Sequence, residues 1–258
     1  MQQLKQLKDS VEGYITVGEM KVQESLVLKH GKLVGFIDYG DRKCEEKLAT
    51  HICMFYIRSF KKEVSVPIAW WLTTTTPAYQ LASMFWELFG VCELNGFHIN
   101  AVVADGASVN RKFFENLSGV THSRYQQYIC SNPSRPSYPV FLCSDTSHLL
   151  KTTRNALFSS KPGGTKFFNK AGRDILWSHV ISLYNKDSVT PLHKTNLTDA
   201  HIHLNSYSKM KVNYARDVLS WRVGQSIKQD VAGADGTSEF ILLFNKYECY
   251  FVGNFTHK

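Results

Sequence analysis

None of the six cysteines in this 258-residue chain forms a CxxC pair, and none joins histidines at zinc-finger spacing. That argues against a structural zinc of this kind and for free, mostly buried thiols in a reducing compartment. No run of about 18 apolar residues occurs, so a helical membrane span is excluded. The opening MQQLKQLKDSVEG lacks the apolar core of a secretory signal, and the sequons at Asn116, Asn196 and Asn254 then read as chance matches. There is no internal repeat, no low-complexity tract and no G-x-x-x-x-G-K-[ST]. KPGGTK at 161–166 fails that spacing, which excludes a P-loop but no other mode of nucleotide binding.

What is present suits a folded α/β protein. Apolar residues make up 43% of the chain and aromatics 13%, with only 7 prolines, a composition able to bury a core. The net charge of +8 is unevenly spread: residues 1–150 carry 15 Lys/Arg against 14 Asp/Glu, and residues 151–258 carry 15 against 8. Such an asymmetry points to a polyanionic partner for the second half, although a basic face can also be merely solvated.

Patterning predicts strands at Tyr14–Met20, Lys32–Tyr39 and His51–Phe60 in an antiparallel meander, with Pro67–Thr73 as a further strand or the end of the third. An amphipathic helix is expected at Ala78–Asn95 and a buried strand at Ala101–Ala104. A helix capped by Ser108 should follow, then a strand at Tyr138–Cys143 and a helix to Leu157. Antiparallel strands followed by βα units fit an RNase H-like core, one of several α/β readings the order allows. Helical stretches are expected at Ala171–Tyr184 and Ser206–Gln229, a turn at Ala232–Thr237, and a boundary near 158–164.

Asp105 closes a buried strand and precedes a glycine and a helix, a place where α/β folds hold metal-ligating carboxylates; a turn-forming Asp explains it equally well. Asp145 repeats the arrangement. Lys151 and Arg154 share a helix face that either meets phosphate or is solvated. His201 and His203 would point to one side of an extended segment, but two histidines without a third ligand are weak grounds for metal.

Several blocks, in order, resemble the P-element type DNA transposases and their THAP-domain-containing relatives. They are EMKVQESLV (19–27), KLVGFIDYGD (32–41), PIAWWLT (67–73), LNGFHINAVVADGASVNRKFF (94–114), FLCSDTSHLLKTTRNAL (141–157), ILWSHVISLY (175–184), LTDAHIHLNSYSKMKVNYARDVLS (197–220) and GTSEFILLFNK (236–246). The resemblance implies an α/β fold: an RNase H-like mixed sheet with flanking helices at 1–158, then a mainly helical GTP-binding insertion-like domain at 159–258. It implies DNA cleavage and strand transfer by a carboxylate triad holding two Mg²⁺ about 4 Å apart. The partners would be DNA and GTP, with a homo-oligomer and no membrane, and the location nuclear.

Under the resemblance Asp105 is the second catalytic and metal-binding aspartate, and Lys209, Lys211 and Val212 contribute to guanine-nucleotide binding. Those lysines could instead decorate an amphipathic helix whose Met210, Val212 and Val218 face the core. The first aspartate belongs immediately before EM in the first strand, and Gly18 stands there. Glu19 should point to the opposite face, because strand side chains alternate. Neither Glu239 nor Glu248 sits in a match to the third acid, and no THAP-type zinc module or leucine zipper is found. The expectation is therefore a domesticated, transposase-derived chain that binds DNA and GTP but is defective in DNA cutting. An active or trans-complementing transposase and a non-catalytic nucleic-acid or nucleotide-binding module are the alternatives.

Overall fold

A computed structural model describes residues 10–39, 44–61, 64–119 and 128–251. The chain divides into two compact units, Met1–Asp145 and Thr146–Lys258. The division falls ahead of the 158–164 boundary expected from the sequence, so the helix after Asp145 belongs to the second unit.

The first unit is built on strands β1 (Val11–Lys21), β2 (Val27–Lys29), β3 (Lys32–Val34), β4 (Phe36–Asp38), β5 (Cys44–Leu48), β6 (His51–Ser59) and β7 (Ser65–Thr73). Helix α1 (Ala78–Leu94), β8 (Phe97–Ala104), α2 (Ser108–Ser118), β9 (Ile129–Cys130) and β10 (Val140–Ser144) follow. Eight of the strands form one mixed sheet in the order β5-β4-β7-β6-β1-β8-β10-β9. β1 runs antiparallel to β6 and parallel to β8, and β8 is parallel to β10.

Alternation along the strands, reset in β8 by a register shift between Ile99 and Ala101, sends Ile15, Val17, Cys53, Phe55, Ile57, Ile99 and Val102 to one face. There they bury against Leu81, Phe85 and Phe89 of α1 and Phe113 and Leu117 of α2. Burying one such side chain stabilises the fold by about 1.5–3 kcal/mol, so this face carries the unit's hydrophobic free energy. The thiols of Cys53 and Cys92 are pushed up to about 12 by burial, as expected of inert core cysteines.

Two expectations for this unit are corrected. Lys32–Tyr39 is not one strand of a meander. Gly35, at φ +132°, breaks it, so that β3 folds back on β2 while β4 pairs with β7 and β5 beyond it. Ser108 does not cap α2 either; the N-cap is Ala107, which makes no side-chain cap, and the Asp105 carboxylate accepts the Ala107 N–H instead.

The second unit contains α3 (Thr146–Phe158), a hairpin of β11 (Phe168–Lys170) and β12 (Arg173–Ile175), α4 (Trp177–Asp187), α5 (Asp199–Ile202), a 3₁₀ turn (Ser208–Met210), α6 (Val212–Val218), α7 (Trp221–Asp230) and α8 (Asp235–Phe251). Its separate core gathers Leu150, Leu157, Trp177, Val180, Ala215, Val218, Val223, Ile227 and Ile241.

Three expectations for this region are also corrected. The helix expected at Ala171–Tyr184 begins only at Trp177. Before it, Ala171 and Gly172 both adopt positive φ and turn a hairpin, with the Gly172 N–H donated to Asn169 Oδ1. The single helix expected at Ser206–Gln229 is three pieces, because Lys211 and Ser220 are extended, and Ser220 caps α7 by accepting the Val223 N–H. The turn expected at Ala232–Thr237 is shorter, since α8 already includes Asp235, Gly236 and Thr237.

Candidate functional site

The C-terminal ends of β1, β8 and β10 lie side by side in the first unit, and the acidic candidates sit on them. Thr16 pairs with Val103, the last pair of these parallel strands, and the same register carried two residues on sets Gly18 level with Asp105, which follows the end of β8. Next door, the Asp145 N–H donates to the Ala104 carbonyl at 2.7 Å, so Asp145 follows the end of β10 beside Asp105. A Cβ built at Gly18 meets nothing within 4 Å. Glu19 faces away, as alternation requires: its Oε1 accepts the Thr76 N–H at 3.1 Å, and its charge adds to the burial that raises the Cys53 thiol.

Asp105 is half-buried, and its Oδ1 accepts two hydrogen bonds at 2.8 Å, from the Ala107 N–H and from Asn110 Nδ2. This is an Asx turn that shapes the entry into α2. A two-metal centre needs several hard oxygen donors converging on one point. Among the described residues no group of three His, Cys, Asp or Glu side chains could hold a metal ion. At this edge the described carboxylates are Asp105 and Asp145, and Gly18 adds none. Glu239, the other candidate acid, is exposed and paired with Arg173 across α8 and β12, and the side chain of Glu248 lies outside the described residues.

In the second unit Lys209, Lys211 and Val212 are all half-buried, and the two lysines rest on different rings. Lys209 Nζ lies 5.3 Å from the centre of the Phe158 ring, where Lys161 Nζ also sits at 4.1 Å. Lys211 Nζ lies between the Tyr207 and Tyr214 rings, at 4.6 and 4.9 Å, and Val212 opens α6. A cleft of about 380 Å³ borders Phe158 and Lys161 and is walled by Ile181, Ile202, Leu204 and Asn205.

Arg154 is fully buried, which corrects its reading as a solvated or phosphate-facing surface residue. Its Nη2 donates to the carbonyls of Ser208 and Lys209 at 3.2 and 3.1 Å, and so it holds the SKMKV segment from beneath. Burial lowers its pKa to about 10, and among the described residues its buried Nη1 has no hydrogen-bond partner. The cleft pairs an apolar wall with Lys161, and Lys209 lies over the same Phe158 ring, a combination of apolar surface and cations compatible with a nucleotide. Sequence reasoning misses Lys161 and the burial of Arg154, because KPGGTK draws notice only as a failed P-loop and KTTRNAL only as a helix surface.

His201 and His203 do not share a side. His201 is buried, bonded through Nδ1 to Thr198 and through Nε2 to Asp217 at 3.2 Å, whereas His203 is exposed beside Asp199. Both have structural partners rather than a metal-ligating geometry.

The chain is similar to known proteins in sequence and in fold. Residues 1–118 match the family described as TNP-like, RNase H N-terminal domain, and residues 147–250 match TNP-like, GTP-binding insertion domain. Over 205 residues, 76% of this chain, the sequence is 26% identical to the Transposable element P transposase of Drosophila melanogaster, of which it covers 25%. A chain of the Drosophila P element transposase strand transfer complex shares the fold with a TM-score of 0.73 at 20% identity, over 95% of this chain and 53% of that one. The chain thus spans a quarter of the sequence relative and about half of the structural one.

Proposed function

Since the chain belongs to the P-element-type transposase family, with an RNase H N-terminal domain and a GTP-binding insertion domain, we propose that it binds DNA and GTP without itself cutting or joining DNA. Gly18 carries this reading. It occupies the place of the first acid, level with Asp105, and a hydrogen atom supplies no oxygen to a metal. Asp105 is engaged through Oδ1 in the turn before α2. With Asp145 as the other carboxylate beside it and none at Gly18, this edge has fewer acids than a two-metal centre uses, and on this reading no cleavage step runs through these side chains.

DNA as partner rests on the family and on the basic second half of the chain. Acting on DNA would place the protein in the nucleus. GTP would be held in the second unit by Lys209, Lys211 and Val212, with Lys161 beside Lys209 on Phe158. The lysines would neutralise phosphate charge, and Arg154 keeps their segment in place.

The test is a cleavage and strand-transfer assay on DNA bearing terminal inverted repeats, with Mg²⁺ or Mn²⁺, comparing the parent chain with Asp105→Ala. No cutting by either is expected. Cutting by the parent that disappears in Asp105→Ala overturns the proposal. Gly18→Asp belongs in the same assay, because its side chain enters open space. Cutting by that variant alone would locate the defect at this one residue.

A further inference from the structure

We infer that the buried positive charge of Arg154 has its counter-ion in the ligand of the second unit, whose phosphates supply the negative charge that the protein withholds. This rests on the reading that the second unit holds GTP, and it makes the polyphosphate rather than the base the part that stabilises the fold. Arg154 is 0% exposed, and its hydrogen-bond partners are all neutral. Nε donates to Asn155 Oδ1 at 2.9 Å, and Nη2 to the Ser208 and Lys209 carbonyls at 3.2 and 3.1 Å. Among the described residues Nη1 has no partner, and no carboxylate forms an ion pair with the guanidinium. Burial alone lowers its pKa, with no nearby acid to raise it again. A charge taken out of water is ordinarily paired, because neutral carbonyls replace its hydration only in part.

Two more cations gather at the same place, and no acid joins them. Phe158 lies four residues on from Arg154 and so on the same face of α3. Lys161 Nζ and Lys209 Nζ stand 4.1 and 5.3 Å from the centre of that ring, and neither is ion-paired among the described residues. Lys209 is also the residue whose carbonyl Arg154 binds, with Asn155 Nδ2 donating to the same oxygen at 3.3 Å. The backbone at Lys161 is held as well. Its carbonyl accepts the Gly164 N–H at 2.8 Å, the Lys166 N–H donates to the Ser159 carbonyl at 3.1 Å, and a Cβ at Gly164 would lie 2.1 Å from that carbonyl oxygen.

Like charges repel, so three cations held together without an acid destabilise the unliganded unit, and a multivalent anion relieves all three at once. The adjoining cleft of about 380 Å³, bordered by Phe158 and Lys161, is of small-molecule size, which favours the phosphates of a nucleotide over the backbone of a duplex. Since Nη1 is enclosed, Arg154 does not touch the phosphates. It is a positioning residue that acts through its field and through its hold on Lys209.

The experiment melts the whole chain at fixed ionic strength, with a chelator in place of magnesium, in the presence of guanosine, GTP or inorganic pyrophosphate, and measures the affinity of the last two by calorimetry. GTP and pyrophosphate should each raise the melting temperature, and guanosine should not. Arg154→Gln removes the charge and Arg154→Lys keeps it, while both lose the forked hold on the two carbonyls. The glutamine variant should bind pyrophosphate about ten-fold more weakly than the lysine variant, as expected for one unit charge about 10 Å away at an effective dielectric of about 20.

If the two variants bind pyrophosphate equally, the charge plays no part and the inference fails while GTP binding stands. If the glutamine variant does not fold, the parent decides. A shift from guanosine as large as that from GTP, with none from pyrophosphate, means that the base holds the ligand and overturns the inference; the reverse pattern upholds it. If pyrophosphate binds and GTP does not, the charge site stands and the guanine-nucleotide reading fails. If neither binds, both fall, and a short duplex that then raises the melting temperature would make the anion a DNA phosphate.

Discussion

The Asp187 carboxylate, buried at the end of α4, accepts the Lys194 N–H at 2.7 Å, the Thr195 N–H at 3.0 Å and the Thr195 hydroxyl at 2.6 Å, and so closes the loop that follows. Burial alone would raise its pKa, but these hydrogen bonds outweigh it and hold the carboxyl below its ordinary 3.8. A depressed carboxyl pKa adds stability at any pH above the unfolded value, and this is lost as pH falls through the folded one. Unfolding followed by circular dichroism should therefore show the parent weakening below about pH 4. Asp187→Asn should be less stable at neutral pH, by about 1–3 kcal/mol for each N–H left unpaired, with a flatter acid limb. An acid limb as steep in the variant as in the parent would assign the effect to other carboxylates. Nothing in YNKDSV foretells this role, because the partners are fixed by loop closure. That Glu19 faces away from Gly18 was legible for the opposite reason: a strand's two-residue period determines it. Arg154 was not, since KTTRNAL looks the same whether its arginine meets water or the carbonyls of Ser208 and Lys209.

Elements with long apolar periods were legible, and those cut by backbone conformation were not. In α1 the apolar residues Leu81, Phe85, Leu88, Phe89 and Cys92 recur at three- and four-residue steps, and the observed helix matches the expected one to a residue. The hairpin β11–β12 instead turns on Ala171, a non-glycine residue at φ 53° that local propensity does not forecast. KLVGFIDY reads as one apolar strand unless Gly35 is known to sit at φ +132° against the Ser25 carbonyl. That position yields an element-level prediction. Gly35→Ala combines a disfavoured φ with a backbone collision, strain of about 1–3 kcal/mol. Hydrogen exchange should show lost protection in β2, β3 and at Ala49, whose N–H binds the Gly35 carbonyl, with the second unit unchanged. Unchanged protection at Ala49 would mean that the base of the β2–β3 hairpin is not held there.

At the scale of the molecule, two facts run together: each unit has its own buried core, and the positive excess lies in the second. The first core is assembled from residues up to Leu142 and the second from Leu150 onward, so the second unit does not draw on the first for its hydrophobic stability. Residues 151–258 hold 15 Lys/Arg against 8 Asp/Glu, whereas residues 1–150 are nearly balanced at 15 against 14. If nucleotide binding is a property of Lys209, Lys211 and their supports, it should survive separation from the first unit. Residues 146–258 alone should keep a helical circular dichroism spectrum and bind GTP in calorimetry with the full chain's affinity. Lys211→Ala in that fragment should weaken binding about ten-fold or more, since hydrogen bonds to charged groups contribute about 1.5–3 kcal/mol. The same change should leave the melting temperature where it was, because the ammonium rests on the Tyr207 and Tyr214 rings without joining the core. A folded fragment that binds no GTP while the full chain does would show that the site draws on residues before 146. Equal affinity in the Lys211→Ala fragment would move the phosphate contacts to Lys161 and Lys209 on the Phe158 ring.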